Sequence, residues 1–194
     1  MGCSKPIVKV SLICLIIGLI IFVIGYAAPY WSKFDLEAAP SVIDRHYYRG
    51  TVHAGLWETC EDYERWSSEQ GRGRRYRIDE CFSFLGHPDK HPISKELRAA
   101  QFIETLGLIG VVATITILLL ELCVDSLKGK RIVSIIAALC CLASGGCILL
   151  GTIVYGSQDA ITDSLSWAFA LTIVSGVLFV IIGIVILVGA VLNK

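Results

Sequence analysis

Charge is what this 194-residue chain has least of: Asp, Glu, Lys and Arg make up 18% of it, where an ordinary soluble domain carries about a quarter. With 55% hydrophobic residues, that shortage excludes a single water-soluble domain and makes lipid the expected solvent for much of the chain. The 17 acidic and 17 basic residues cancel, so no net field recruits nucleic acid. Asparagine occurs only as Asn193, outside any Asn-x-Ser/Thr triplet, which leaves no acceptor for an N-linked glycan. No nucleophile sits beside a base, and there is no phosphate-cradling loop or metalloprotease motif. An enzyme is therefore not expected, and no cofactor is implied.

What the chain does have is long uncharged intervals. A hydrocarbon core about 30 Å thick takes roughly 20 helical residues. Spans of that order are predicted at about 7–29, 102–124, 132–155 and 167–192. The second is interrupted by Glu104 and Glu121, which fall near its ends, where a carboxylate costs less than at the midplane. Their 17-residue spacing puts them on different helix faces, which reads as interfacial anchoring with Glu121 near Lys128 or Arg131. Lys5, Lys9 and Gly25-Tyr26-Ala27 also fit a signal peptide, but the apolar run between them is long for one.

Orientation follows from the short links, because Lys and Arg stay cytoplasmic. The link 125–131 holds Lys128, Lys130 and Arg131, whereas 156–166 holds Asp159 and Asp163 and no basic residue. Segments 1–6, 125–131 and 193–194 are thus expected inside, and 31–101 and 156–166 outside. Met1-Gly2-Cys3 suggests acylation, but Pro6 occupies the position where myristoylation needs Ser or Thr. Palmitoylation of Cys3 or Cys123 stays open.

Six of the eight cysteines lie in or beside the spans, leaving Cys60 and Cys81 in the oxidising exterior with one possible intramolecular pairing. Tyr47 to Trp57 and Tyr76 to Phe84 read as strands, giving an antiparallel ribbon pinned by that bridge. With the cysteines directly opposed, Tyr63 faces Ile78, Glu64 faces Arg77 and Trp66 faces Arg75, while Glu61 meets Glu80 unfavourably. The turn falls near 70–73.

A Trp just beyond the first span (Trp31), then Gly55-Leu56-Trp57, Cys60, Cys81 and four spans, resembles the claudin superfamily signature. That superfamily holds claudins, peripheral myelin protein, epithelial membrane proteins and calcium-channel gamma subunits. The resemblance implies a membrane all-α four-helix bundle carrying a small extracellular antiparallel β-sheet, with Trp31 and the Gly-Leu-Trp tucking the sheet onto the membrane. It also implies a structural protein of the plasma membrane at cell-cell junctions, adhesive and able to form a paracellular barrier or pore, through self-association or contact with other four-span membrane proteins. The alternative is an epithelial-membrane-protein-like organiser or an auxiliary subunit of an ion channel. Leu97 to Gln101 and Ser166 to Leu171 are similar to the epithelial membrane protein branch.

Departures from the signature are visible too. The 20 residues between Cys60 and Cys81 exceed the usual claudin spacing and extend the hairpin tip. The run Val191-Leu192-Asn193-Lys194 offers no hydrophobic C-terminal residue for a PDZ pocket, and 156–166 lacks an aromatic-rich pattern. Tetraspanins would carry their large cysteine-rich loop between the third and fourth spans, and gap-junction proteins several cysteines in both outer loops.

Arg72, Arg74, Arg75 and Arg77 form a basic cluster that can meet an acidic partner or be neutralised by the acids flanking it. His87 and His91 have metal-ligand spacing, but Pro88 and Pro92 argue against a helix there and no further ligand completes a set, so no metal is expected. Small residues recur along the first helix (Ser11, Cys14, Gly18, Gly25), the third (Ala137, Cys141, Gly145) and the fourth (Gly176, Gly183, Ala190). These stripes are expected to be seams within one monomer, with left-handed crossings.

Overall fold

The computed structural model describes residues 4–36, 46–67, 74–84, 94–127, 129–158 and 164–192. Among them four helices are long and apolar enough to cross a membrane: α1 (Ser4–Ala27), α2 (Lys95–Cys123), α3 (Arg131–Gly156) and α4 (Trp167–Leu192). A sheet of β1 (Ser32–Leu36), β2 (His46–Ala54), β3 (Glu58–Ser67) and β4 (Arg74–Ser83) lies between α1 and α2 in the chain. Its order is β1-β2-β3-β4 and every neighbouring pair is antiparallel.

The helices are apolar all round, so no amphipathic stripe tells their packing faces apart; small residues do. Buried positions recur at spacings of three and four: Val8, Ser11, Leu15, Gly18, Phe22 and Gly25 on α1, and Ala168, Thr172, Ser175, Phe179, Ile182 and Ile186 on α4. That 3.5-residue period is the one a left-handed supercoil keeps in register. α2 packs on α3, α3 on α4 and α4 on α1, while α1 meets α2 least. A Cβ on Gly145 would stand 2.9 Å from the Gly176 carbonyl oxygen, and one on Gly25 2.9 Å from the Ala168 carbonyl oxygen. The small-residue stripes are therefore seams inside one bundle.

The same period overturns the expectation for α2. Glu104 and Glu121 do not lie on different faces as interfacial anchors. They fall on one buried stripe with Ala100, Gly107, Val111, Thr114 and Leu118, where the supercoil's 3.5 residues per turn bring them together. Both carboxyls are buried, Glu104 fully and Glu121 at 4% exposure.

In the sheet, β3 and β4 pair in the expected register: Cys60 opposite Cys81, Tyr63 opposite Ile78, Glu64 opposite Arg77, Trp66 opposite Arg75 and Glu61 opposite Glu80. The turn near 70–73 lies outside the described residues. The strand expected from Tyr47 to Trp57 ends at Ala54, and β1 was not anticipated.

Candidate functional site: the junction of sheet and bundle

The β2–β3 hairpin turns through Gly55-Leu56-Trp57, and this turn is driven into the end of the bundle. Gly55 N–H donates to the Glu58 carbonyl at 2.9 Å and closes the turn. The turn needs glycine because a Cβ there would stand 2.6 Å from both the Ala28 carbonyl oxygen and Pro29 Cα. Leu56 is fully buried among Trp31, Ala100, Tyr155 and Ala168, side chains drawn from every layer of the junction. Its carbonyl accepts from Gln101 Nε2 at 2.7 Å, so this buried acceptor at the apex of the hairpin is satisfied.

Trp31 closes the other side. It is fully buried, its Nε1 donates to the Gly25 carbonyl at 2.7 Å, and its ring meets Tyr155 and Phe169 edge-on at 4.8 and 5.8 Å. Ser32 Oγ and the Tyr155 hydroxyl are hydrogen-bonded at 3.1 Å. Trp57 is half-buried beside Tyr26, centroids 5.2 Å apart, and the Tyr26 hydroxyl is bonded to Thr105 Oγ1 at 2.9 Å. Trp57 Nε1 has no acceptor among the described residues.

The free edge of β1 is covered from the α3–α4 link. Lys33 N–H donates to the Ser164 carbonyl at 2.7 Å, Ser166 N–H to the Trp31 carbonyl at 2.9 Å, and Ser32 bridges Leu165. The strand that sequence reasoning missed is thus made by these pairings; Ser-Lys-Phe-Asp-Leu carries no strong strand pattern of its own.

Alternation across the sheet separates its faces. Lys33, His53, Cys60 and Cys81 form one cross-strand row, followed by Asp35, Thr51, Asp62 and Asp79, then by Arg49, Glu64 and Arg77. The opposite face carries Phe34, Val52, Tyr63, Ile78 and Phe82. Cys60 and Cys81 are joined as a disulfide in the first row. Beside it, His53 lies 4.6 Å from the Tyr30 ring, and burial, then Lys33, hold its pKa below the usual value.

On the charged face Arg77 donates through Nε and Nη2 to both oxygens of Asp62, each at 3.2 Å, which offsets the opposition of Asp62 and Asp79. That pairing also raises the Arg77 pKa. Arg49, Thr51, Asp62, Glu64 and Arg77 line a depression of about 480 Å³ on this face. Of the basic cluster, Arg77 is the member whose side chain is described, and Arg72 lies outside the described residues. His87, His91 and Cys3 also lie outside them, while Cys123 is exposed at the last residue of α2.

The family model described as PMP-22/EMP/MP20/Claudin tight junction matches residues 16–188, from the middle of α1 almost to the end of α4. No curated protein matches the chain significantly.

Proposed function

The chain belongs to the PMP-22, EMP, MP20 and claudin family, and from that premise we propose that it is a structural protein of the plasma membrane acting at cell-cell contacts through its sheet. The observation that carries this reading is the fastening of the sheet. A hairpin apex buried in the bundle and a strand edge paired with the α3–α4 link hold the charged face in a fixed posture relative to the helices. A surface so held can meet a second copy, or another four-span membrane protein, without losing loop entropy on contact.

The sheet is extracellular and both termini are cytoplasmic in this reading. The support is the basic link, with Lys130 and Arg131 at the bundle end away from the sheet. Adhesion comes first, and a paracellular barrier or pore follows from rows of such contacts. Arg77 belongs to the contact face in this reading, and Cys123 is the proposed acylation position within the described residues.

The experiment is imaging of protein tagged at each terminus in mixed cultures. Enrichment where two expressing cells touch, and not where one does, is the expected result. Uniform membrane signal overturns it and favours the second reading, an organiser or channel auxiliary subunit. That alternative draws on Leu97 to Gln101, similar to the epithelial membrane protein branch, because Gln101 is the residue that holds the hairpin apex.

A further inference from the structure

We infer that the end of the bundle away from the sheet binds the phosphoethanolamine headgroup of a membrane lipid, with Glu121 receiving its ammonium and Arg131 its phosphate. The inference rests on the bundle alone and is independent of any role at cell contacts.

A cavity of about 60 Å³ lies where the four helix ends converge. Ile7 and Val8 of α1 and Ile186 and Ala190 of α4 give it aliphatic walls, and Glu121, Ser134 and Arg131 bring the polar groups. Glu121 is 4% exposed. Its Oε1 accepts from Ser134 Oγ at 2.8 Å, whereas Oε2 is buried with no partner among the described residues. A buried carboxylate oxygen without a donor is costly, so the site favours a ligand that supplies one. The neighbouring cation does not: Arg131 lines the same cavity, is exposed, and makes no ion pair with Glu121.

Two opposite charges on one cavity, unpaired with each other, call for a ligand carrying both charges a short arm apart. An ethanolamine phosphate has that form. Its ammonium has hydrogens to give Oε2, its two carbons suit the aliphatic walls, and its phosphate suits a guanidinium at the mouth. A choline headgroup fails on two counts, having no N–H to donate and three methyls to place. A bare divalent cation is disfavoured as well, because Arg131 puts a positive charge on the same cavity and the lining offers one carboxylate and a hydroxyl already donating to it. The position, at the membrane end of all four helices, presents the mouth to lipid headgroups.

The test is native mass spectrometry of the full-length protein released from micelles holding equal amounts of phosphatidylethanolamine and phosphatidylcholine of the same chains. The expected result is retention of the ethanolamine lipid over the choline lipid by about tenfold, the scale of one charge-assisted hydrogen bond. Near parity is expected in Glu121→Gln, whereas Arg131→Gln, which loses the partner of a phosphate common to both lipids, should retain less of either. Arg131 is exposed, so its variant keeps the test alive should Glu121→Gln not fold. Equal retention by the wild type, an undiminished preference in folded Glu121→Gln, or undiminished retention of the ethanolamine lipid in Arg131→Gln overturns the proposal. Soluble glycerophosphoethanolamine at equimolar concentration should leave the lipid in place; its displacing the lipid would mean a free headgroup site and would overturn the assignment to lipid.

Discussion

Trp31 and Trp57 flank the same junction and differ in one bond. Trp31 is fully buried and spends its indole N–H on the Gly25 carbonyl, at the last turn of α1. Trp57 is half-buried, edge-on to Tyr26, and its N–H finds no acceptor among the described residues. Replacing an indole by a phenyl ring removes a donor in both cases, but only at position 31 does it orphan a partner and open space in a closed cluster. Trp31→Phe is expected to cost about 2 kcal/mol, and Trp57→Phe about 1 kcal/mol or less. Thermal unfolding of the purified variants in one detergent checks the order; equal losses would mean that the Trp31 hydrogen bond contributes nothing. The signature tryptophans were legible in the sequence as membrane-interface residues. Their division of labour was not, because it depends on which ring meets a carbonyl 6 residues away in the chain.

At the scale of the element, the helices were legible as spans and illegible as faces. Composition marks a segment as lipid-facing, but an all-apolar helix has no moment to aim, so the packing side has to be read from small residues and a 3.5 period. That reading succeeds for Gly18, Gly25, Gly145 and Gly183, each pressed against a neighbouring helix. It fails for Glu104 and Glu121, where a straight 3.6-residue wheel separates two residues that the supercoil reunites. The adjacent glycines of α3 give a paired test. A Cβ on Gly145 would meet the Gly176 carbonyl oxygen at 2.9 Å and the Val180 nitrogen at 3.0 Å, both backbone atoms that cannot swing away. A Cβ on Gly146 meets nothing within 4 Å. Gly145→Val should therefore force α3 from α4 at a cost of about 1 to 3 kcal/mol, and Gly146→Ala should be neutral within about 0.5 kcal/mol. Thermal unfolding of the two proteins decides it: equal melting temperatures would show that this seam is not close-packed.

For the whole molecule, the question is what holds a small sheet in one posture on a bundle that shares no strand with it. Three fastenings act at different places: the hairpin apex at Leu56, the α3–α4 link on the edge of β1, and the disulfide joining β3 to β4. The first two bind sheet to helices, whereas the third acts within the sheet. It sits one pair along the ladder from Thr59, which lies opposite Ala54 at the base of the apex. The bridge therefore ties β4, the outermost strand, to β3 at the junction end. The β3–β4 register was legible once the two cysteines were set directly opposite each other; the first two fastenings were not, because both join segments far apart in the chain. Cys60→Ala or Cys81→Ala should each cost about 2 to 5 kcal/mol, the range for a bridge in a small extracellular unit. The loss should be confined to the sheet, since neither cysteine touches the helical core. Limited trypsin digestion distinguishes the cases: the bonds after Arg74, Arg75 and Arg77 should open in either variant while the four helices stay intact. Digestion that instead also cuts after Lys95 and Arg98, in the first turn of α2, at the same rate would mean that sheet and bundle open together, and that the disulfide stabilises more than the sheet.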